Sequence, residues 1–299
     1  MPQRVRIVGA SSPFPPAKLE AGVARLRAAG FDVDDRDVLQ GTHAYLNGDD
    51  ATRARLLEQA LHSDVDVVWL ARGGYGLTRI AQRLVLPARL PVVVGFSDVT
   101  ALFARLHKEG RLRGAIHGPL ATSVAGEPDQ SLAHLVDVVA GGPGLPLPEL
   151  RVLQGGGDVT APLFAANLCV LSALCGTPLQ PDLRGQLLVL EEISERPYRL
   201  DRMWTHLRLA GVLEKVHGLA LGDFTECEEP GADFTSRDVL WTLAAETGLP
   251  CVAGLPIGHD AVNVPVALGT RVRLDGGTGT LSFLEPAVCM GATQSPAAS

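Results

Sequence analysis

Through its first 120 residues the chain alternates short apolar runs with amphipathic stretches. "RVRIVGA" reads as a strand, and "PAKLEAGVARLRAAG" as a helix closed by Gly30. "FDVDDRDV" is a more polar strand, and "NGDDATRARLLEQAL" a helix with Asp49 or Asp50 as its cap. "DVVWLARGGYG" is a strand ending in glycines, followed by the short helix "LTRIAQRLV". "PVVVG", "DVTALFARLHKEG" and "RGAIHGP" repeat the sequence strand, helix, strand. Strands that alternate with helices must cross over between pairings. That predicts an α/β fold with a mainly parallel sheet covered on both faces.

Residues 126–160 change character. "AGEPDQ", "AGGPGLPLPEL" and "QGGGD" are rich in Gly and Pro and read as a linker. The expected division is a first domain over 1–125, with the strand–helix alternation, and a second over 161–289. A disordered tail is expected over 290–299. In the second half "NLCVLSALCG" and "LDRMWTHLRLAG" read as helices, and "GQLLVLEE", "VHGLALGDF" and "PCVAGLPIG" as strands. "TRVRLDGGTGTLSFLEP" reads as a hairpin turning at Asp275, Gly276 and Gly277.

Composition narrows the function classes. The 299 residues are 46% hydrophobic and 20% charged, with net charge −7 and no basic run. This argues against nucleic acid as the main partner. No window approaches the roughly 18 apolar residues of a membrane span, and the N-terminus lacks a signal-peptide pattern. The five cysteines, Cys169, Cys175, Cys227, Cys251 and Cys289, have no CxxC spacing, which suits reduced thiols in a cytoplasm.

Ligands of open α/β sheets bind beyond the carboxyl ends of the strands, and three stretches put polar groups there. "RGGYG", Arg72–Gly76, turns backbone N–H groups outward. It is either an anion cradle or oxyanion hole, or simply a tight turn. It does not match the dinucleotide pattern G-x-G-x-x-G. "GFSD" puts Ser97 at a strand–helix turn, as a nucleophile or as a helix cap. The third set is Glu191 and Glu192 in "LLVLEEISE", and His259 in "GLPIGHDAVN", each after an apolar run. A carboxylate at a buried strand end seeks a donor such as an imidazole N–H. Only one of the adjacent acids can face that partner. His117 in "IHGP" is the second candidate base. The histidines are too widely spaced, without H-E-x-x-H, to suggest a metal site.

Taken in order, "ARGGYGLTRI", "VVGFSDVTAL", "HGP", "NLCVLSALCGTP", "LVLEEISERPYRLDRM" and "GLPIGHDAVNVPVALGTRVRLD" resemble the LD-carboxypeptidases, the muramoyltetrapeptide carboxypeptidases of serine type. That family also includes the microcin-immunity peptidases. The resemblance spans roughly residues 4–285. It implies a Rossmann-like N-terminal domain, a smaller, β-rich α/β C-terminal domain, a cleft between them and a homodimer. It implies a triad of Ser97, Glu191 and His259. It also implies an oxyanion hole from the N–H groups of Asp98 and Gly74. Arg72 and Gly73 border the expected substrate pocket. No cofactor and no metal are expected, and the expected partner is a murein tetrapeptide or a related small peptide. Two departures stand out: Ala165 and Ala166 replace the usual glycines before "NL", and "LEE" replaces "LED". The alanines would either narrow the cleft floor or stiffen a helix start.

Overall fold

The computed structural model describes residues 2–287 except 37, 40, 148 and 156. The expected tail, 290–299, and Cys289 lie outside the described residues. The first half runs β1 (Arg4–Val8), α1 (Pro16–Ala28), β2 (Asp32–Asp34), β3 (Thr42–His43), β4 (Leu46–Asn47) and α2 (Asp50–His62). It continues through β5 (Val67–Leu70), α3 (Leu77–Ile80), β6 (Val92–Gly95), α4 (Thr100–Lys108), β7 (Ala115–His117) and α5 (Asp129–Val139). The second half runs β8 (Arg151–Gln154), β9 (Val159–Asn167), α6 (Leu168–Leu174), β10 (Leu187–Ile193), α7 (Pro197–Leu209), β11 (Gly218–Thr225) and α8 (Ser236–Glu246). It ends with β12 (Cys251–Ala253), β13 (Val266–Ala267), β14 (Arg271–Asp275) and β15 (Thr280–Phe283).

The first sheet has the order β13-β7-β6-β5-β1-β2, parallel from β7 to β2. Setting the small β3–β4 hairpin aside, its parallel strands follow the doubly wound order 2-1-3-4-5. The topological switch falls between β1 and β5, where the connections leave in opposite directions and open a crevice. β5 and β6 are buried along their whole length, which explains their continuous apolar runs. Helices α1 and α5 cover one face through Leu19, Val23, Leu26, Leu132, Leu135 and Val138. On the other face the core is continuous with the second sheet, through Leu102, Phe103 and Leu106 of α4 and Phe164, Leu168 and Leu171.

The second sheet has the order β15-β14-β9-β10-β11-β12-β8, parallel in its centre from β9 to β12 and antiparallel at both edges. The β14–β15 hairpin pairs Asp275 with Thr280, as the turn residues led one to expect.

The stretch expected to be a linker, 126–160, is more structured than its composition suggests. It carries α5, whose apolar side chains pack onto the first sheet, and β8, an edge of the second. Gly and Pro sit at the joints of these elements and mask the helical period of Leu132, Leu135, Val138 and Val139. The chain also crosses back, because β13 pairs with β7 of the first sheet. Ala165 and Ala166 lie fully buried inside β9, opposite Val189 and Leu190 of β10. They therefore form neither cleft floor nor helix start. As neighbours on a strand they face opposite sides of β9, and both methyls belong to the core.

Candidate active site

The carboxyl ends of β1, β5 and β6 meet at Ser97. It follows β6 with φ +64°, a left-handed conformation that costs a non-glycine residue roughly 1 kcal/mol or more. The cap position of the following turn belongs to Phe96, and no side-chain cap bond forms there. The turn thus holds Ser97 under strain without using its hydroxyl as a cap. A Cβ built on Gly73 would stand 3.0 Å from both Ser97 Cβ and Oγ and would press on the serine, so glycine suits this close approach of the strand end. Gly74 instead faces Ser12, whose Oγ would lie 2.5 Å from such a Cβ.

The Asp98 side chain does something the sequence did not announce. It is fully buried, accepts the Ser11 hydroxyl at 2.6 Å, and accepts the Leu77 N–H at 2.9 Å. One carboxylate thereby ties the Ser97 turn to the loops after β1 and β5. Burial pushes its pKa up, and the Ser11 hydroxyl and the Leu77 and Gly76 N–H groups oppose that. Arg53, fully buried on α2, donates to the Ala10 carbonyl beneath the same loops. Arg72 donates to the Pro13 carbonyl at 2.5 Å. The hydroxyl run "ASSP" after β1 was the available signal for this brace.

The second half supplies an acid and an imidazole. Glu191, at the end of β10, is fully buried, and its Oε2 lies 2.7 Å from His259 Nδ1. The His259 side chain is 16% exposed and its ring stands 4.6 Å from that of Phe96, the residue before Ser97. Ser97, His259 and Phe96 line one cleft of about 790 Å³. Also along it are Arg72, Gly73, Tyr75, Asn167, Cys169, Glu192, Glu195 and Asn263.

Glu192 points the other way, as strand alternation requires. It accepts the Asn167 amide at 3.0 Å, the Cys169 N–H at 2.7 Å and the Ile193 N–H at 2.9 Å. Burial pushes it up to about 7 against these donors. Its place is at the N-terminus of α6, where an anion is favoured. His117 is fully buried behind Phe96, 5.5 Å ring to ring, and neither ring nitrogen has a partner among the described residues. Burial pushes it down to about 4. It is thus a neutral imidazole near pH 7, outside the cleft lining. Burial pushes the Cys169 thiol up to about 11, with Glu192 and Glu195 adding to it, far from a reactive thiolate.

One hydrogen bond registers the two halves. The Asn167 N–H, at the end of β9, donates to Thr100 Oγ1, three residues after Ser97, at 3.0 Å. Both residues are buried. Thr100→Val keeps the shape and removes the acceptor. Leaving the N–H unpaired is expected to cost about 1–3 kcal/mol in urea unfolding. A loss under about 0.3 kcal/mol would mean the bond registers nothing.

Asp223, on β11 beneath the His259 turn, is pushed up from 3.8 to about 7 by burial, then by Asp260 and Glu191. Between those values the folded protein holds a proton that the unfolded chain releases. Stability therefore falls as pH rises through this window. Asp223→Asn removes that slope. In urea unfolding the variant is expected to gain on the parent between about pH 4.5 and about pH 7.5. An equal gap at both pH values would contradict it.

Among the described residues no group of three His, Cys, Asp or Glu side chains is placed to hold a metal ion. No helix among them is long and apolar enough to cross a membrane.

Comparison with known proteins gives the family. Residues 5–118 match the model of the LD-carboxypeptidase N-terminal domain, and residues 160–274 that of the C-terminal domain. A Synechocystis sp. protein, slr1534, whose designation as a carboxypeptidase is provisional, is 38% identical over 90% of this chain and 89% of its own. The murein tetrapeptide carboxypeptidase of Pseudomonas aeruginosa is 31% identical over 91% of this chain and 93% of its own. The crystal structure of muramoyltetrapeptide carboxypeptidase from Oxalobacter formigenes superposes with a TM-score of 0.80 at 26% identity, covering 94% of this chain and 97% of that one. The microcin C7 self-immunity protein MccF, in complex with glutamyl sulfamoyl guanosine, shares the fold with a TM-score of 0.85 at 19% identity, covering 96% and 97%. With both domain models matched in order across most of its length, the chain belongs to the LD-carboxypeptidase family of peptidases.

Proposed function

We propose that this protein is a serine-type LD-carboxypeptidase that releases terminal D-alanine from murein tetrapeptides. The observation that carries the reading is the 2.7 Å pairing of buried Glu191 with His259, on the same cleft as a strained, uncapped Ser97. Ser97 Oγ attacks the carbonyl joining an L-centred diamino acid to D-alanine. His259 takes the serine proton at Nε2 and returns it to the leaving amine. Glu191 holds the imidazole in the tautomer this requires and stabilises its cation. The N–H groups of Asp98 and Gly74 face the developing oxyanion. Gly73 leaves room for the substrate beside Ser97. No cofactor or metal enters the reaction.

In this reading residues 1–125 and 161–289 are the two domains that border the cleft. The enzyme works as a homodimer in the cytoplasm on peptides from murein turnover. Of the second-half acids along the cleft, Glu195, which also pairs with Arg199, is the one that suits a side chain carrying an ammonium group.

A second reading has one observation in its favour. Tyr45 and Tyr75, 59% and 42% exposed, pair at 5.8 Å beside the cleft that Tyr75 lines. Such rings can stack on a nucleobase, as a microcin-type conjugate would require. The test is kcat/KM on L-Ala-D-Glu-diamino acid-D-Ala, on the same peptide extended by D-Ala, and on one ending in L-Ala. The tetrapeptide is expected to be cleaved at least tenfold better than the other two. An inverted Cα, or an extra residue, displaces the scissile carbonyl from the oxyanion donors. Equal rates on the tetra- and pentapeptides would sink the tetrapeptide reading, which needs a pocket closed beyond the terminal residue. Cleavage of an aminoacyl-sulfamoyl adenylate alone would select the second reading.

A further inference from the structure

We propose that Lys18 and the Asn263 side-chain amide, together with Arg72, form the receptor for the substrate's terminal carboxylate. This rests on the carboxypeptidase reading above. The argument begins with where that carboxylate must sit. His259 gives its proton to the leaving amine, and in a terminal residue the carboxyl carbon lies only roughly 2.5 Å from that nitrogen. The receptor therefore belongs beside the His259 turn.

Asn263 is fastened to that turn. Its Oδ1 accepts the Gly258 N–H at 3.2 Å, one residue before His259. A backbone N–H can only donate, so the amide orientation is fixed and Nδ2 is the free end. Asn263 is 2% exposed and lines the cleft, and its Nδ2 is buried without a partner among the described residues. A buried N–H donor left unpaired destabilises the fold, and an acceptor brought by the substrate would satisfy it.

Lys18 enters the cleft lining from α1. A Cβ on Gly22 would stand 1.8 Å from the Ala121 carbonyl, so α1 packs backbone against backbone on the 120–127 loop. Lys18 lies one turn earlier on that helix face and lines the cleft together with Thr122, Ser123 and Glu127. Arg25, on the same helix, is occupied by the Ala125 carbonyl and Asp129. Lys18 is exposed and has no ion pair among the described residues. Among the described residues Lys18 and Arg72 are the only Lys or Arg side chains along the cleft, and Arg72 bonds the Pro13 carbonyl just ahead of α1. The opposing charges along the same lining are Asp260, whose Oδ1 accepts the Ala261 N–H, and Glu127. The Ser131 hydroxyl and the Asn263 N–H donate to it, and Arg25 bears on it electrostatically. The cations thus lie on the wall formed by the first half, while Asp260 and Glu195 stand on the wall formed by the second. An extended peptide with an ammonium on one side chain and a terminal carboxylate has one favourable direction in such a field.

The experiment compares tetrapeptides ending in free D-alanine and in D-alaninamide, by kcat/KM, for the parent enzyme, Lys18→Met, Lys18→Arg and Asn263→Asp. The parent is expected to prefer the acid at least tenfold. Lys18→Met, a change at an exposed position, is expected to raise KM for the acid about tenfold and to erode the preference by a similar factor. Its kcat is expected to stay within about threefold, and Lys18→Arg to restore most of the preference. Asn263→Asp, which sets a carboxylate against the substrate's own, is expected to reverse the preference. If the parent prefers the acid and Lys18→Met keeps that preference whole, this receptor is wrong while the carboxypeptidase reading stands. If the parent cleaves acid and amide equally, or neither, the carboxypeptidase reading itself falls, and the receptor with it.

Discussion

Ser97→Ala is expected to lower kcat on the tetrapeptide on the order of a million-fold, the scale of losing a triad nucleophile. The residual rate then measures what the oxyanion donors and binding supply alone. The fold should survive, because Ser97 makes no capping bond and alanine keeps the same backbone. The left-handed φ of +64° adds a second, independent readout. Ser97→Gly should be equally inactive yet more stable than the parent by roughly 1 kcal/mol, since glycine adopts that conformation without a Cβ penalty. Gained stability with lost activity is the signature of strain held for function. An active Ser97→Ala, or a Ser97→Gly less stable than Ser97→Ala, would remove the serine from this role.

The second large effect separates the two adjacent acids. Glu191→Gln is expected to lower kcat about 10⁴-fold. A glutamine amide facing Nδ1 of His259 would donate rather than accept. It would leave the proton on Nε2, where the serine proton has to go, and would also remove the charge that stabilises the imidazolium. Glu192→Gln should lower kcat less than about tenfold, because Glu192 turns away from His259 toward the N-terminus of α6. Its cost should fall on stability instead, about 1–3 kcal/mol, as a donor replaces one acceptor among three N–H groups. The opposite ranking in kcat would move the orienting carboxylate to Glu192.

The alternation of apolar strands and amphipathic helices determined by itself that the first half would be a parallel, two-faced sheet. Continuous runs such as Val92–Gly95 can be satisfied only by burial on both sides, so local chemistry sufficed there. The turn residues after "RLD" likewise set the last hairpin. Ser97 and Glu191 were readable as strand-end polar groups, because a polar residue directly after a buried run has few other places to go; the strand expected to lead into His259 ends at Ala253, and His259 sits in the loop that follows. What the sequence could not supply was their partners. Glu191 and Glu192 are chemically alike, and strand alternation says only that they part. Which of them meets His259 depends on where the 258–263 loop and α6 lie across the sheet. The brace from Ser11, Arg53 and Asp98, and the tie from Thr100 to Asn167, join segments far apart in the chain. No local pattern encodes such contacts. Helix α5 was hidden for a different reason, its apolar period being short and enclosed by Gly and Pro. Packing on the first sheet decided it, because burying Leu132, Leu135 and Val138 outweighs the weak local signal.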